Sequence, residues 1–211
     1  MQLQLSSIDI AQMLQRYRAT FINSLCGFKS VCLIGSKNKA NQTNLAIFSS
    51  LVHIGANPPL IGFVVRPDSA DRHTLQNILE TNYYTINHIN PKIYKQAHQT
   101  SARYPQEISE FKATGLTEDY KNDFLAPYVL ESNIKVGLEL KEKIDFTING
   151  TIFIIGEIKY IYFSNECLNE DGFLDLEKAE TITCSGLDSY HTTTKIARLE
   201  YAKPNSLPNE I

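Results

Sequence analysis

The chain has 211 residues, 43% of them hydrophobic and 20% charged, with a formal net charge of −3. This composition excludes a disordered, collagenous or coiled-coil protein. With 23 acidic residues against 20 basic ones and no run of Lys or Arg, there is no electrostatic footprint for nucleic acid. The length suits a single domain spanning 1–211, in which about 70% of the chain's surface can be buried, so a core can form without staples.

Cys26, Cys32, Cys167 and Cys184 form no CxxC pair and are expected to be free thiols. The opening MQLQLSSIDIAQMLQRYR lacks the basic and apolar regions of a signal peptide, and no apolar run reaches the ~20 residues needed to span a membrane. A cytoplasmic protein without a membrane partner is expected. In that compartment the sequons at Asn41 and Asn149 are chance matches.

In chain order, Ile10, Met13, Leu14, Tyr17 and Phe21 recur at helical spacing behind the candidate caps Ser6, Ser7 and Asp9, which predicts one amphipathic helix over about 8–23. SVCLIGS, TNLAIFSS and PLIGFVV are short, apolar and β-rich, broken at SKNKANQ and GANPP, and read as three strands. RHTLQNILETN returns to helical spacing and ends at Asn82, after which YYTINHI alternates as a strand. From Asn90 to Leu130 the chain is polar and holds Pro91, Pro105 and Pro127, which predicts loops and short helices. IKVGLELKEKID and TIFIIGEIKYIYF are strands around the turn signal Asn149-Gly150, and KIARLEY is a last strand before a polar tail from about 203 to 211. Many strands with short connections and few helices predict a mainly β protein, a β-barrel with peripheral helices rather than a doubly wound sheet.

No GxGxxG follows a strand and no GxxxxGK[ST] occurs, which argues against a Rossmann domain or a P-loop. NECLNEDGFLDLE has the look of a calcium loop, but the register puts Cys167 at the first ligand position and Lys178 at the twelfth, so it reads as a solvated turn. The five histidines show no HxxxH or HExxH spacing, and no metal site is expected. Two segments carry more. TNLAIFSSLVH concentrates Thr43, Asn44, Ser49, Ser50 and His53 on an apolar run, and adjacent serines on a strand must face opposite ways, so at least one faces inward or meets a ligand. RPDSADRHTLQN places Arg66, Arg72, His73 and Thr74 just before or at a helix start, where unpaired N–H groups, a hydroxyl and cations can bind a phosphate, although on these residues alone a capped helix with surface arginines is the better reading.

Together, NLAIFSSLVHIGANPPLIGFVVRP and RHTLQNILETNYYTINHI resemble the flavin reductase-like family with the FMN-binding split-barrel fold. The family typically has an Ala-Pro-Phe-Ser type strand, a Pro-Pro turn, a Lys/Arg-x-Thr phosphate segment and an aromatic strand ending near an Asn. The similarity continues through EFKATGLTEDYKNDFLAPYVLESNIKVGLEL, FIIGEIKYIYF, LNEDGFLDL and GLDSYH, from about Phe28 to about Tyr190. Ile47 departs from the family's common Pro, and Arg72-His73-Thr74 stands for the commoner Lys-Asp-Thr.

The resemblance implies an FMN site at the junction of two subunits of a homodimer. Asn44, Ala46, Phe48, Ser49 and Ser50 would line the ring and ribityl chain, and Arg66, Arg72, His73 and Thr74 would hold the phosphate. His53, His191 and Tyr190 are further candidates for the wall. The implied activity is FMN-dependent oxidation of NAD(P)H, with free flavin or a partner protein as electron acceptor and no side chain acting as acid or base. FMN is expected in preference to FAD, because no second motif exists to grip an adenosine. Two alternatives stand beside this: an FMN-binding electron carrier without NAD(P)H turnover, and a barrel that has lost its flavin.

Overall fold

A computed structural model describes residues 2–67 and 72–211. The N-terminus differs from the single helix expected. Ser6 caps α1 (Ser7–Gln12) in a reciprocal box with Asp9. The chain turns extended at Met13 and helix resumes as α2 (Gln15–Ser24). Neither helix buries a residue, so no packing holds the two pieces in one continuous helix.

The apolar runs then become strands. SVCLIGS divides into β1 (Lys29–Ser30) and β2 (Cys32–Lys37), followed by β3 (Thr43–Phe48), β4 (Val52–Ala56) and β5 (Pro59–Val65). β4 is absent from the sequence reading. Its side chains are mostly exposed, and Gly55 and Pro58 read as breakers, yet it forms a hairpin with β5 at the edge of the sheet. Next come α3 (His73–Thr81), closed by Asn82 in the left-handed conformation at φ 66°, and β6 (Tyr83–His88). The polar window holds α4 (Tyr94–Gln99), α5 (Glu110–Thr114) and the two-residue strands β7 (Glu118–Asp119) and β8 (Tyr128–Val129).

β9 (Lys135–Asp145) and β10 (Ile152–Tyr162) form the long hairpin around Asn149-Gly150. Its connection is wider than a two-residue turn: Gly150, at φ 70°, donates its N–H to the carbonyl of Phe146, and Asn149 Oδ1 accepts from both the N–H and the hydroxyl of Thr151. The region 165–176 is a turn, as expected, although it also buries Cys167 and Asp175. The strand β11 (Thr183–Ser185) pairs with β1 on one side and with β12 (Ser189–His191) on the other in a separate sheet. KIARLEY is not a strand. It is irregular apart from one bridge, Leu199 to Glu210, because no sheet edge receives it and Ile196 stays fully in solvent.

Seven strands form one antiparallel sheet in the order β3-β2-β6-β9-β10-β5-β4, so the two edge strands are neighbours in sequence. Alternation divides its faces. Cys32, Ile34, Tyr84, Ile86, Val136, Leu138, Phe63 and Ile154 fill one interior together with Leu75 and Ile78 of α3. Leu33 and Leu45 turn the other way and pack against Ile93, Ala97 and Phe111 near α4 and α5. β2 is therefore buried on both faces, which is why its sequence is apolar without alternation. This is the expected mainly β class, a split barrel with peripheral helices. Among the described residues no helix is long and apolar enough to cross a membrane. All four cysteines are free, and Cys26 is exposed.

His88, at the end of β6, sits within 3.1 Å of the Thr181 hydroxyl, and burial lowers its pKa to about 4. Folding thus favours the neutral imidazole, so the unfolded chain takes up a proton first as pH falls below its ordinary value. Stability should hold above about pH 6.5 and decline toward pH 4, by about 2 kcal/mol for this half-buried ring. Urea midpoints at pH 7 and 4.5 should show that His88→Gln flattens the decline. An undiminished slope would assign the acid sensitivity elsewhere.

Candidate functional site

A cleft of about 1030 Å³ opens where the end of β3 meets the start of α3. Asn44, Ala46 and Phe48 lie two apart on β3 and line it, as do Ser49 and Ser50 beyond the strand end. Ser50 is partly committed to the fold: its hydroxyl donates to the carbonyl of Val64 at 3.0 Å and accepts from the Val64 N–H at 3.1 Å, tying the segment after β3 to β5. Ser49 interacts instead with the Cys184 thiol, which also lines the cleft. Burial raises that thiol's pKa, with the nearby Lys29 ammonium and Ser49 opposing.

The α3 end of the cleft gathers Arg66, Arg72, His73 and Thr74. Residues 68–71, between the two arginines, lie outside the described residues. Among the described residues no side chain caps α3, and its first backbone bond runs from Gln76 N–H to Arg72 C=O, so the N–H groups of His73, Thr74 and Leu75 have no partner within the helix. Asn44 Nδ2 donates to Thr74 Oγ1 at 2.8 Å, both groups buried. That contact fixes the hydroxyl as an acceptor and leaves its own proton to donate. Arg66 donates to Asn23 Oδ1 of α2 at 3.2 Å.

The polar window supplies what sequence reasoning missed. Glu110, the first residue of α5, is buried in the cleft wall and accepts the Leu45 N–H at 2.9 Å, closing the unpaired side of edge strand β3. Burial raises its pKa, with the Leu45 N–H and nearby His73 opposing. His98, Arg103 and Tyr104 from α4 and the loop after it also line the cleft, with Tyr190 from β12. His98 Nδ1 and the Tyr190 hydroxyl are 2.8 Å apart, and burial pushes that phenol up to about 12. No spacing signal marks these residues, because they converge only through the packing of Ile93 and Ala97 near β3.

Of the twelve residues singled out for the site, ten line this cleft, and His53 and His191 do not. His53 is exposed on β4 at the far edge of the sheet order. His191 also falls outside the lining, bonded at 2.9 and 3.1 Å to the hydroxyls of Ser185 and Ser189. Among the described residues no group of three or more His, Cys, Asp or Glu could hold a metal. The arrangement suits binding more than proton transfer: a cationic, N–H-rich end adjoins a strand carrying small and aromatic side chains.

The model of the flavin reductase like domain matches residues 28–177. A protein from Shewanella frigidimarina NCIMB 400, described as a candidate flavin reductase with a split barrel domain, is 51% identical and superimposes with a TM-score of 0.92 over 95% of this chain and 100% of that one. Nitrilotriacetate monooxygenase component B from Bacillus cereus superimposes at 0.82 with 20% identity, covering 94% of this chain and 99% of that one. The 2-nitrobenzoate 2-nitroreductase of Pseudomonas fluorescens does so at 0.79 with 22% identity, covering 98% and 99%. These last two share the fold. With its domain match, its rolled antiparallel sheet and its near-complete superposition on the Shewanella protein, the chain belongs to the flavin reductase-like family.

Proposed function

We propose that the chain is an FMN-dependent NAD(P)H oxidoreductase. The observation that carries this reading is the start of α3, without a side-chain cap among the described residues, at a cleft that Arg72 and the Thr74 side chain also line. A terminal phosphate dianion fits that donor set: helix N–H groups, a hydroxyl with a proton to give, and cations. Arg66, Arg72, His73 and Thr74 would hold the phosphate, while Asn44, Ala46, Phe48, Ser49 and Ser50 would line the ribityl chain and ring, with Tyr190 on the facing wall. Bound there, FMN supplies the two-electron chemistry between a reduced nicotinamide and an acceptor, and the protein binds and orients.

The first experiment is visible absorption of the purified protein, followed by anaerobic mixing of the FMN-loaded form with NADH or NADPH. Bleaching of the flavin band supports the oxidoreductase. A band that persists makes the protein a carrier, and a protein that FMN fails to tint overturns the reading. FMN should bind more tightly than FAD, because the donor set matches one terminal phosphate. Equal dissociation constants would count against that assignment.

The same reading includes a homodimer. The accessible surface is 13300 Å², against about 9,900 Å² for a compact monomer of this mass. Both ends of the chain are open: the N-terminal helices bury no residue and leave Leu3, Ile8, Leu14, Tyr17 and Phe28 exposed, and Ile196, Tyr201 and Leu207 are exposed in the C-terminal segment. Obligate dimers bury total areas of about 2,000–5,000 Å², so a second copy is a sufficient cover. Sedimentation at micromolar concentration should show twice the chain mass. A monomer that still holds flavin would sink the dimer and spare the flavin site.

A further inference from the structure

At about 1030 Å³ the cleft reaches the top of the range of about 300–1,000 Å³ typical for one ligand. Its polar groups fall on two walls. The first is the start of α3, already assigned to a phosphate. The second is the segment from His98 to Tyr104, facing Tyr190.

On that second wall two side-chain pairs hold one another in place. His98 Nδ1 and the Tyr190 hydroxyl are 2.8 Å apart, and Gln99 Nε2 donates to the Tyr104 hydroxyl at 3.0 Å. Arg103 makes no hydrogen bond, ion pair or ring contact with any described residue. Glu107 and Asp188 line the same cleft, yet neither pairs with it. A guanidinium carries five fixed donors matched to the paired oxygens of a phosphate or carboxylate. Here it is an exposed side chain in the lining of the cleft, which His98, Tyr104 and Tyr190 also line.

We propose that Arg103, beside the His98–Tyr190 pair, is the anion subsite for the second reactant, the molecule that meets the flavin. The inference rests on the flavin reading above. The ligand chemistry is a phosphate or carboxylate oxyanion. Its two sources are the phosphates of a nicotinamide dinucleotide and the carboxylate of an anionic acceptor.

The test is calorimetric titration of the FMN-loaded protein with three redox-inert probes, 2′-phospho-ADP-ribose, ADP-ribose and citrate, in the wild type, Arg103→Ala and Arg103→Lys. Arg103→Ala should raise the dissociation constant of at least one probe roughly tenfold, with Arg103→Lys recovering part of the loss, while FMN affinity changes less than about twofold. A loss larger for 2′-phospho-ADP-ribose than for ADP-ribose assigns the ribose phosphate. An equal loss on both assigns the pyrophosphate, and a loss confined to citrate assigns a carboxylate-bearing acceptor. The subsite is overturned if no probe binds the wild type, if all three bind Arg103→Ala unchanged, or if FMN weakens as much as the probes. If FMN itself fails to bind the wild type, the flavin reading fails separately, and the same titrations on the flavin-free protein decide the fate of Arg103.

Discussion

Arg72→Ala is expected to weaken FMN binding by about ten- to a hundredfold while leaving riboflavin binding unchanged. Arg72 stands at the N-cap position of α3, at the mouth of the cleft and next to N–H groups without helical partners. A hydrogen bond to a charged group contributes about 1.5–3 kcal/mol, and each 1.4 kcal/mol is tenfold in affinity. Riboflavin lacks the phosphate, so the pair of titrations separates loss of that contact from loss of the cleft. Equal weakening of both ligands would mean that the cleft had deformed. Unchanged FMN affinity would move the phosphate contact to Arg66, even though that guanidinium already donates to Asn23.

Phe63→Ala should lower stability by about 3–5 kcal/mol, the cost of truncating a fully buried aromatic and leaving a cavity. Phe63 has no exposed surface, and its ring meets Phe48 at 5.0 Å and Tyr84 at 5.6 Å, both edge to face. Urea unfolding of the variant should show the midpoint shift, with Tm lower by roughly 10 °C or more. Phe48 carries the effect into the cleft, because its ring lines the site on one side and leans on Phe63 on the other. FMN affinity should therefore fall as well. Ile196→Ala, at a position wholly in solvent, should change neither quantity. A Phe63→Ala protein as stable as the wild type would show that the barrel interior can close over the gap.

The barrel strands were legible where burial is one-sided or complete. β5, β6, β9 and β10 follow their apolar runs because those side chains are what the rolled sheet encloses. α3 was legible for two local reasons, an apolar stripe through Leu75 and Ile78 and an Asn that ends the helix at positive φ. The misreadings share a cause. β4 is a strand with little burial and KIARLEY is an apolar alternation with no edge to pair with, and in each the deciding term is a partner that local sequence does not name. The N-terminal pattern kept helical spacing, but with nothing packed against it the chain breaks at Met13.

For the site, the β3 and α3 contributions are legible in the chain, since Asn44 to Ser50 and Arg66 to Thr74 are contiguous and their chemistry is visible as clusters. The other lining residues come together through packing between distant segments. Glu110 enters because edge strand β3 leaves the Leu45 N–H unpaired, and a buried donor must find an acceptor. His98 and Tyr190 meet across a separation of about ninety residues, and Arg103 joins them in the lining, because the region around α4 packs where Leu33 and Leu45 emerge from the sheet. His53 shares a sequence neighbourhood with Ser50 but lies outside the cleft, because the turn after Phe48 carries β4 to the opposite end of the sheet order. Contiguity identifies residues that travel together; the rolling of the sheet determines which of them face a common space.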